Sequence, residues 1–232
     1  MEAEQKFKVH LGILLFSFIV VVIALFFTNK FLKTEVDPKA YPRPIIIDNK
    51  FIDPWLGFSI QSPSPQWQIE QRAVQSTFIE EDTLQSIYAN MQPVVELRKQ
   101  VDSTDFIFVE VAALKLKTNR NALSLSERAL NNFLTNEKYG TITIVQNPAK
   151  NTGGRYEAAW FALRSSNEKK DNIWIVTTAL RDSIGYIITA CLDAATYENQ
   201  KSDIEAIISS FRLHDIPKEL REYSDENGDY EF

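Results

Sequence analysis

Along residues 105–192 apolar residues occupy both parities of the chain. In DFIFVEVAALKL (105–116), Ile107, Val109, Val111 and Ala113 fall on one side of an extended backbone and Phe106, Phe108, Ala112 and Leu114 on the other. RYEAAWFALR (155–164) repeats the pattern, with Tyr156, Ala158 and Trp160 opposing Ala159, Phe161 and Leu163. In IWIVTTALRDSIGYIITACLD (173–193) two such runs flank a link at Arg181 to Ser183 and Gly185. A parallel crossover needs about a dozen residues, so links this short predict an antiparallel meander. A sheet that is apolar on both faces has to be covered on both.

Two stretches carry helical periodicity. In LSLSERALNNFLTN, Leu125, Ala129, Leu130, Phe133 and Leu134 form one face, and Ser124 with Glu127 has capping-box spacing. In KSDIEAIISSFRL, Ile204, Ile207, Ile208 and Phe211 fall at i, i+3, i+4 and i+7, and Ser202 with Glu205 repeats the capping signal. One stretch precedes the meander and the other follows it, so the expected fold class is α+β, an antiparallel sheet sandwiched between helices. DTLQSIYANM, with Leu84, Ile87, Tyr88 and Met91 on a face, is a third helical candidate. GFSIQS, WQIEQRAV and VVELRK read as further strands.

The N-terminal pattern is of another kind. LGILLFSFIVVVIALFF (11–27) has no charge, and at about 1.5 Å per residue it covers roughly 25 Å as a helix. It exceeds the apolar core of a signal peptide, and its exit, FFTNKFLK, lacks a small-x-small cleavage site. The expectation is one N-terminal transmembrane helix at residues 11–32 after a short tail at 1–10. A linker at 33–50 follows, stiffened by Pro38, Pro42 and Pro44, then a domain at 51–216 and an acidic tail at 217–232. Lys6 and Lys8 precede the run and Lys30, Lys33, Lys39 and Arg43 follow it, a count that keeps the domain in the cytoplasm, although long domains translocate largely regardless of it.

Charge and chemistry narrow the function. The net charge is -6, and the last sixteen residues hold six acids against Lys218 and Arg221, so the body is nearly balanced. That leaves no basic footprint for nucleic acid. The single cysteine, Cys191, excludes an intrachain disulfide, and its place between Ala190 and Leu192 in a strand reads as a buried, inert thiol. With only His10 and His214 in the chain, a catalytic triad or a His-rich metal site has almost nothing to draw on. Gly153-Gly154 lacks the Lys-Ser/Thr and the helix of a phosphate loop. DENGDYE ends too early for a calcium loop. Glu80, Glu81 and Asp82 are the candidate metal ligands, against the plainer reading of an exposed loop or first helical turn. Trp160 and Trp174, inside strands, read as core. Trp55, with Asp53, in FIDPWLG at the end of the linker, is the candidate contact with a partner.

The ordered set of segments resembles the PsbP family of α/β/α-sandwich domains. GFSIQSPSPQW (57–67) looks like the family's first strand with its proline stop, and SLSERALNNFL stands where the family has its first long helix. GRYEAAWFAL, NIWIVTTAL and YIITACLD are similar to its closing meander, and Ser210 and Phe211 to its terminal helix. The likeness spans about residues 56–213. It implies a docking or accessory protein and not an enzyme, with no cofactor; the family's archetype helps photosystem II retain its ions, and a relative binds a GTPase. Anchored bacterial relatives are extracytoplasmic, which implies the same side here. The function expected is a membrane-anchored, non-catalytic accessory subunit. Its partners would be a membrane protein complex and, through residues 11–32, the bilayer. The alternative is a small-ligand or divalent-cation-binding module at the membrane surface.

Overall fold

The computed structural model describes residues 44–72, 93–102, 105–116, 121–151, 156–168, 170–182 and 184–215. Residues 11–32, Glu80 to Asp82, the helical candidate at 82–91 and the tail at 217–232 lie outside them. Among the described residues no helix is long and apolar enough to cross a membrane.

In chain order the elements are β1 (Ile45–Ile47), β2 (Lys50–Asp53), β3 (Phe58–Gln61), β4 (Gln68–Gln71), β5 (Pro93–Gln100), β6 (Phe106–Lys115), α1 (Ala122–Thr135), a 3-10 turn (Glu137–Tyr139), β7 (Thr141–Asn151), β8 (Glu157–Ser166), β9 (Asp171–Arg181), β10 (Ile184–Asp193), α2 (Tyr197–Ser210) and β11 (Arg212–Leu213). Seven strands form one sheet in the order β4-β5-β6-β10-β9-β8-β7, and four form a smaller one in the order β1-β2-β3-β11. Every pairing is antiparallel. The described residues are α+β, antiparallel sheet with two helices.

Alternation along the strands divides the large sheet between two cores. Val95, Leu97, Ile107, Val109, Val111, Tyr186, Ile188, Ala190 and Leu192 face one way and pack against Phe51, Phe58 and Ile60 of the small sheet and Ile204, Ile207 and Phe211 of the α2 end. Leu114, Phe161, Leu163, Val176 and Ile187 face the other way and pack against Leu125, Ala129, Leu130 and Phe133 of α1. The two helices therefore cover opposite faces of the meander. The second face is dry because α1 lies on it, over β7, β8 and β9.

Aromatic rings join the sheets. Phe58 meets Phe51, Phe211 and Tyr186 at centroid distances of 5.6, 5.6 and 5.8 Å, contacts that contribute about 0.5–1.5 kcal/mol each beyond burial. Tyr186 donates its hydroxyl to the Leu56 carbonyl, and Tyr156 donates to the Phe211 carbonyl at 3.1 Å.

Four local features differ from the sequence reading. The last residues of the range read as linker are strand: β1 and β2 form a hairpin whose two-residue turn, Asp48 and Asn49, sits at φ 49° and 58°, the geometry a tight hairpin needs. Helix α1 starts earlier than Ser124, because Asn121 is the better-placed cap: its side chain accepts from Ser124 N at 2.8 Å, while Glu157 of β8 accepts from Ala122 N at 3.0 Å. Helix α2 starts at Tyr197, after a turn in which Asp193 accepts from Ala195 N at 2.7 Å, so Ser202 lies inside the helix and not at its cap. Finally, β7 is an edge strand interrupted by two register shifts, between Ile144 and Gln146 and between Gln146 and Ala149, which hide its alternation.

Candidate functional site

The corner between β2 and β3 contains both residues expected to meet a partner. Asp53 ends β2 and is 3% exposed; one oxygen of its carboxylate accepts from Trp55 N and from Leu56 N, each at 2.9 Å. This is an aspartate closing a turn onto its own backbone. Burial pushes its acid up to about 6, against the pull of those two amide hydrogen bonds. Gly57 completes the turn at φ 63°. The Tyr186 hydroxyl bonds the Leu56 carbonyl in the same turn, so the corner is pinned to the large sheet. Asp53 thus shapes the loop, and Trp55, half-buried, is the side chain that the loop presents.

Next to this corner in sequence, β1 exposes Ile45, Ile46 and Ile47 at 45%, 47% and 52%. Three consecutive apolar residues on the free edge of a sheet are unusual, since soluble proteins blunt such edges with charge or proline.

A row of glutamates crosses the face of the large sheet that α1 shares. Glu70 of β4 lies opposite Glu96 of β5, Glu96 opposite Glu110 of β6, and Glu110 opposite Thr189 of β10. Arg72 holds the first two, with its guanidinium 3.2 Å from Glu70 and 2.7 Å from Glu96. Glu110 is partly buried, and burial together with the charge of Glu96 pushes its acid up to about 6. The sequence signal for it was one acid inside the apolar run FIFVEVAAL, which reading by alternation alone passes over. Among the described residues no group of three His, Cys, Asp or Glu side chains is placed to hold a metal ion.

The remaining candidates fall into structural positions. Cys191 is buried opposite Phe108 and Trp174, and burial, then the charge of Glu110, push its thiol up to about 12. His214 is on the other side of the sheet, 2.6 Å from the hydroxyl of Ser59, so it cannot serve Cys191 as a base. Ser59 is fully buried, which denies that hydroxyl access to a substrate. Trp67 is core at 2% exposure. Trp174 is half-buried against Phe133, Tyr139 and Phe108 and donates to Ser165 at 2.8 Å. Trp160, read as core, is 37% exposed. Its neighbours Phe161 and Ala159 point toward α1, so Trp160 points the other way, toward the face that α2 meets at β10.

No protein-family model matches the sequence, and no curated protein matches it either. Solved structures share the fold. LpqN of Mycobacterium tuberculosis, a protein involved in cell envelope biogenesis, superposes with a TM-score of 0.51 at 11% identity over 68% of this chain and 84% of its own. Cyanobacterial PsbP from Synechocystis superposes with a TM-score of 0.49, also at 11% identity, over 71% of this chain and 91% of its own. The chain is thus similar in fold to LpqN.

Proposed function

We propose that this protein is a membrane-anchored, non-catalytic accessory subunit of the PsbP type, which docks on a membrane protein complex outside the cytoplasm. The observation that carries this reading is the exposed apolar edge strand Ile45–Ile47. It immediately follows the proline-containing linker, so a partner embedded in or resting on the same bilayer is within reach of it. Pairing at a free strand edge supplies main-chain hydrogen bonds, and the isoleucine side chains supply the burial. The turn held by Asp53 sets Trp55 beside the start of β3 as a second contact.

The test uses the full chain in its own membranes. Extracted in mild detergent, it is expected to migrate on native gels within a larger complex, and Ile46→Asp is expected to release it without changing the amount of protein in the membrane. Migration as a monomer, or an unchanged complex with Ile46→Asp, removes the reading.

A further inference from the structure

Strand β5 outruns its neighbour. Gln68, the first residue of β4, lies opposite Arg98, so Lys99 and Gln100 have no partner in β4, while on their other side they pair with Ile107 and Phe106. The step leaves a groove of about 520 Å³ at the corner of the large sheet. It wraps the sheet edge: Gln68, Arg98, Gln100 and Phe106 lie on the face that α1 shares, and Lys99 with Gln200 on the α2 face, and Gln66 also lines it. The volume lies within the roughly 300–1,000 Å³ of small-ligand sites.

The charges in the groove are unequally satisfied. Lys99 is matched: its ammonium is 2.9 Å from Asp203 and donates to the Gln200 side-chain oxygen at 2.9 Å, which leaves the Gln200 amide nitrogen as a donor. Arg98 is not. Its guanidinium lies over the Phe106 ring, 3.9 Å from the centroid, and among the described residues its one carboxylate is Glu96, 4.0 Å from Nε and already 2.7 Å from Arg72. Among the described residues the terminal nitrogens of Arg98 have no acceptor. Stacking holds the guanidinium plane, so little is lost in ordering it when an anion arrives.

A fork of this kind takes a planar carboxylate through two parallel hydrogen bonds. Carboxamides both donate and accept, which suits hydroxyl groups better than either an apolar or a multiply charged ligand. We propose that this groove binds a hydroxylated monocarboxylate of the sugar-acid class, a uronate, either free or as a unit of an acidic polysaccharide.

The test is calorimetric titration of the full chain in mild detergent with galacturonate, galactose, glucose 6-phosphate and a galacturonate oligomer. Saturable binding of galacturonate without binding of galactose is expected, weakened roughly tenfold or more in Arg98→Met, as loss of charge-assisted hydrogen bonds implies. Gln100→Leu, at a residue away from both cores, is expected to weaken it by a smaller factor, and Arg164→Met, remote from the groove, to leave it unchanged. Tighter binding of the oligomer identifies a polymer unit as the ligand, and equal binding per unit identifies the free acid. Absence of heat with both uronates, equal binding of galactose, preference for the phosphate, or full affinity in a folded Arg98→Met variant overturns the proposal.

Discussion

The indole nitrogen of Trp67 donates to the carboxylate of Asp203 at 3.1 Å, across a sequence separation of 136 residues. Lys99 reaches the same oxygen at 2.9 Å, so one aspartate on α2 satisfies a core indole and a lysine from β5 together. Burial raises the Asp203 acid, but the hydrogen bonds from Lys99 and Trp67 and the Lys99 charge outweigh it and hold the group below the usual carboxylate range. Its contribution is present above the ordinary aspartate pKa and is lost as the pH falls through the depressed one. Asp203→Ala leaves a buried N–H without an acceptor and is expected to destabilise the protein by about 1–3 kcal/mol in urea unfolding at neutral pH. Trp67→Phe in the same background should add less than it does alone, because the two changes remove one shared bond; full additivity would show that the bond contributes nothing.

Asp53 has the opposite sign. Its folded-state pKa of about 6 stands above the ordinary 3.8, so the folded state holds the proton more tightly and stability declines as the pH rises from about 4 to 6. The shift corresponds to at most about 3 kcal/mol. Asparagine keeps the oxygen that accepts from Trp55 and Leu56 and carries no charge. Asp53→Asn is therefore expected to be more stable than the parent at pH 8, by about 1–3 kcal/mol, and to flatten the melting-temperature profile between pH 4 and 6. Glu110, also near 6, contributes a slope of the same sign, so Asp53→Asn combined with Glu110→Gln should flatten it further. A loss of stability at pH 8 in the single variant would refute this account of the turn.

Ser126 supplies a third measurement. Its hydroxyl is fully buried on the inner face of α1 and has no hydrogen-bond partner among the described residues. The carbonyl one turn back, on Ala122, receives the Thr178 hydroxyl at 2.8 Å instead. Ser126→Ala removes a desolvated polar group and improves helix propensity, so a gain of about 1 kcal/mol in denaturant unfolding is expected. A loss of similar size would mean that the hydroxyl has a partner in solution.

Much of the large sheet was legible because its strands are apolar on both parities, and parity survives whatever lies above. Ile107, Val109 and Val111 sort to one core and Leu114 to the other, as alternation requires. The faces of the helices were legible from their 3.6-residue period, except that Leu134, read onto the buried face of α1, is 49% exposed. Their starts were not: a serine three residues before a glutamate resembles a cap wherever it falls, and tertiary partners decided, Glu157 for α1 and the Asp193 turn for α2. The small sheet was obscured by the prolines before it, although Asp48-Asn49 between the III and KFI segments is itself a hairpin signal. Trp160 was misplaced because periodicity shows which side a residue faces but not how far the covering layer extends. Glu110 was overlooked since a lone acid in an apolar strand gives no sign of the neighbours across it.

Edge design separates the two sheets. The outer strand β7 carries two register shifts and Pro148, and β4 at the far side reads QIEQ with the charge of Glu70 on it, so among the described strands both flanks of the large sheet are blunted by a bulge, a proline or a charge. Strand β1 carries no such interruption and no charge. Main-chain pairing with a neighbour is thereby favoured at β1 over either flank of the large sheet, and a ribbon of three residues is too short to template extended polymerisation.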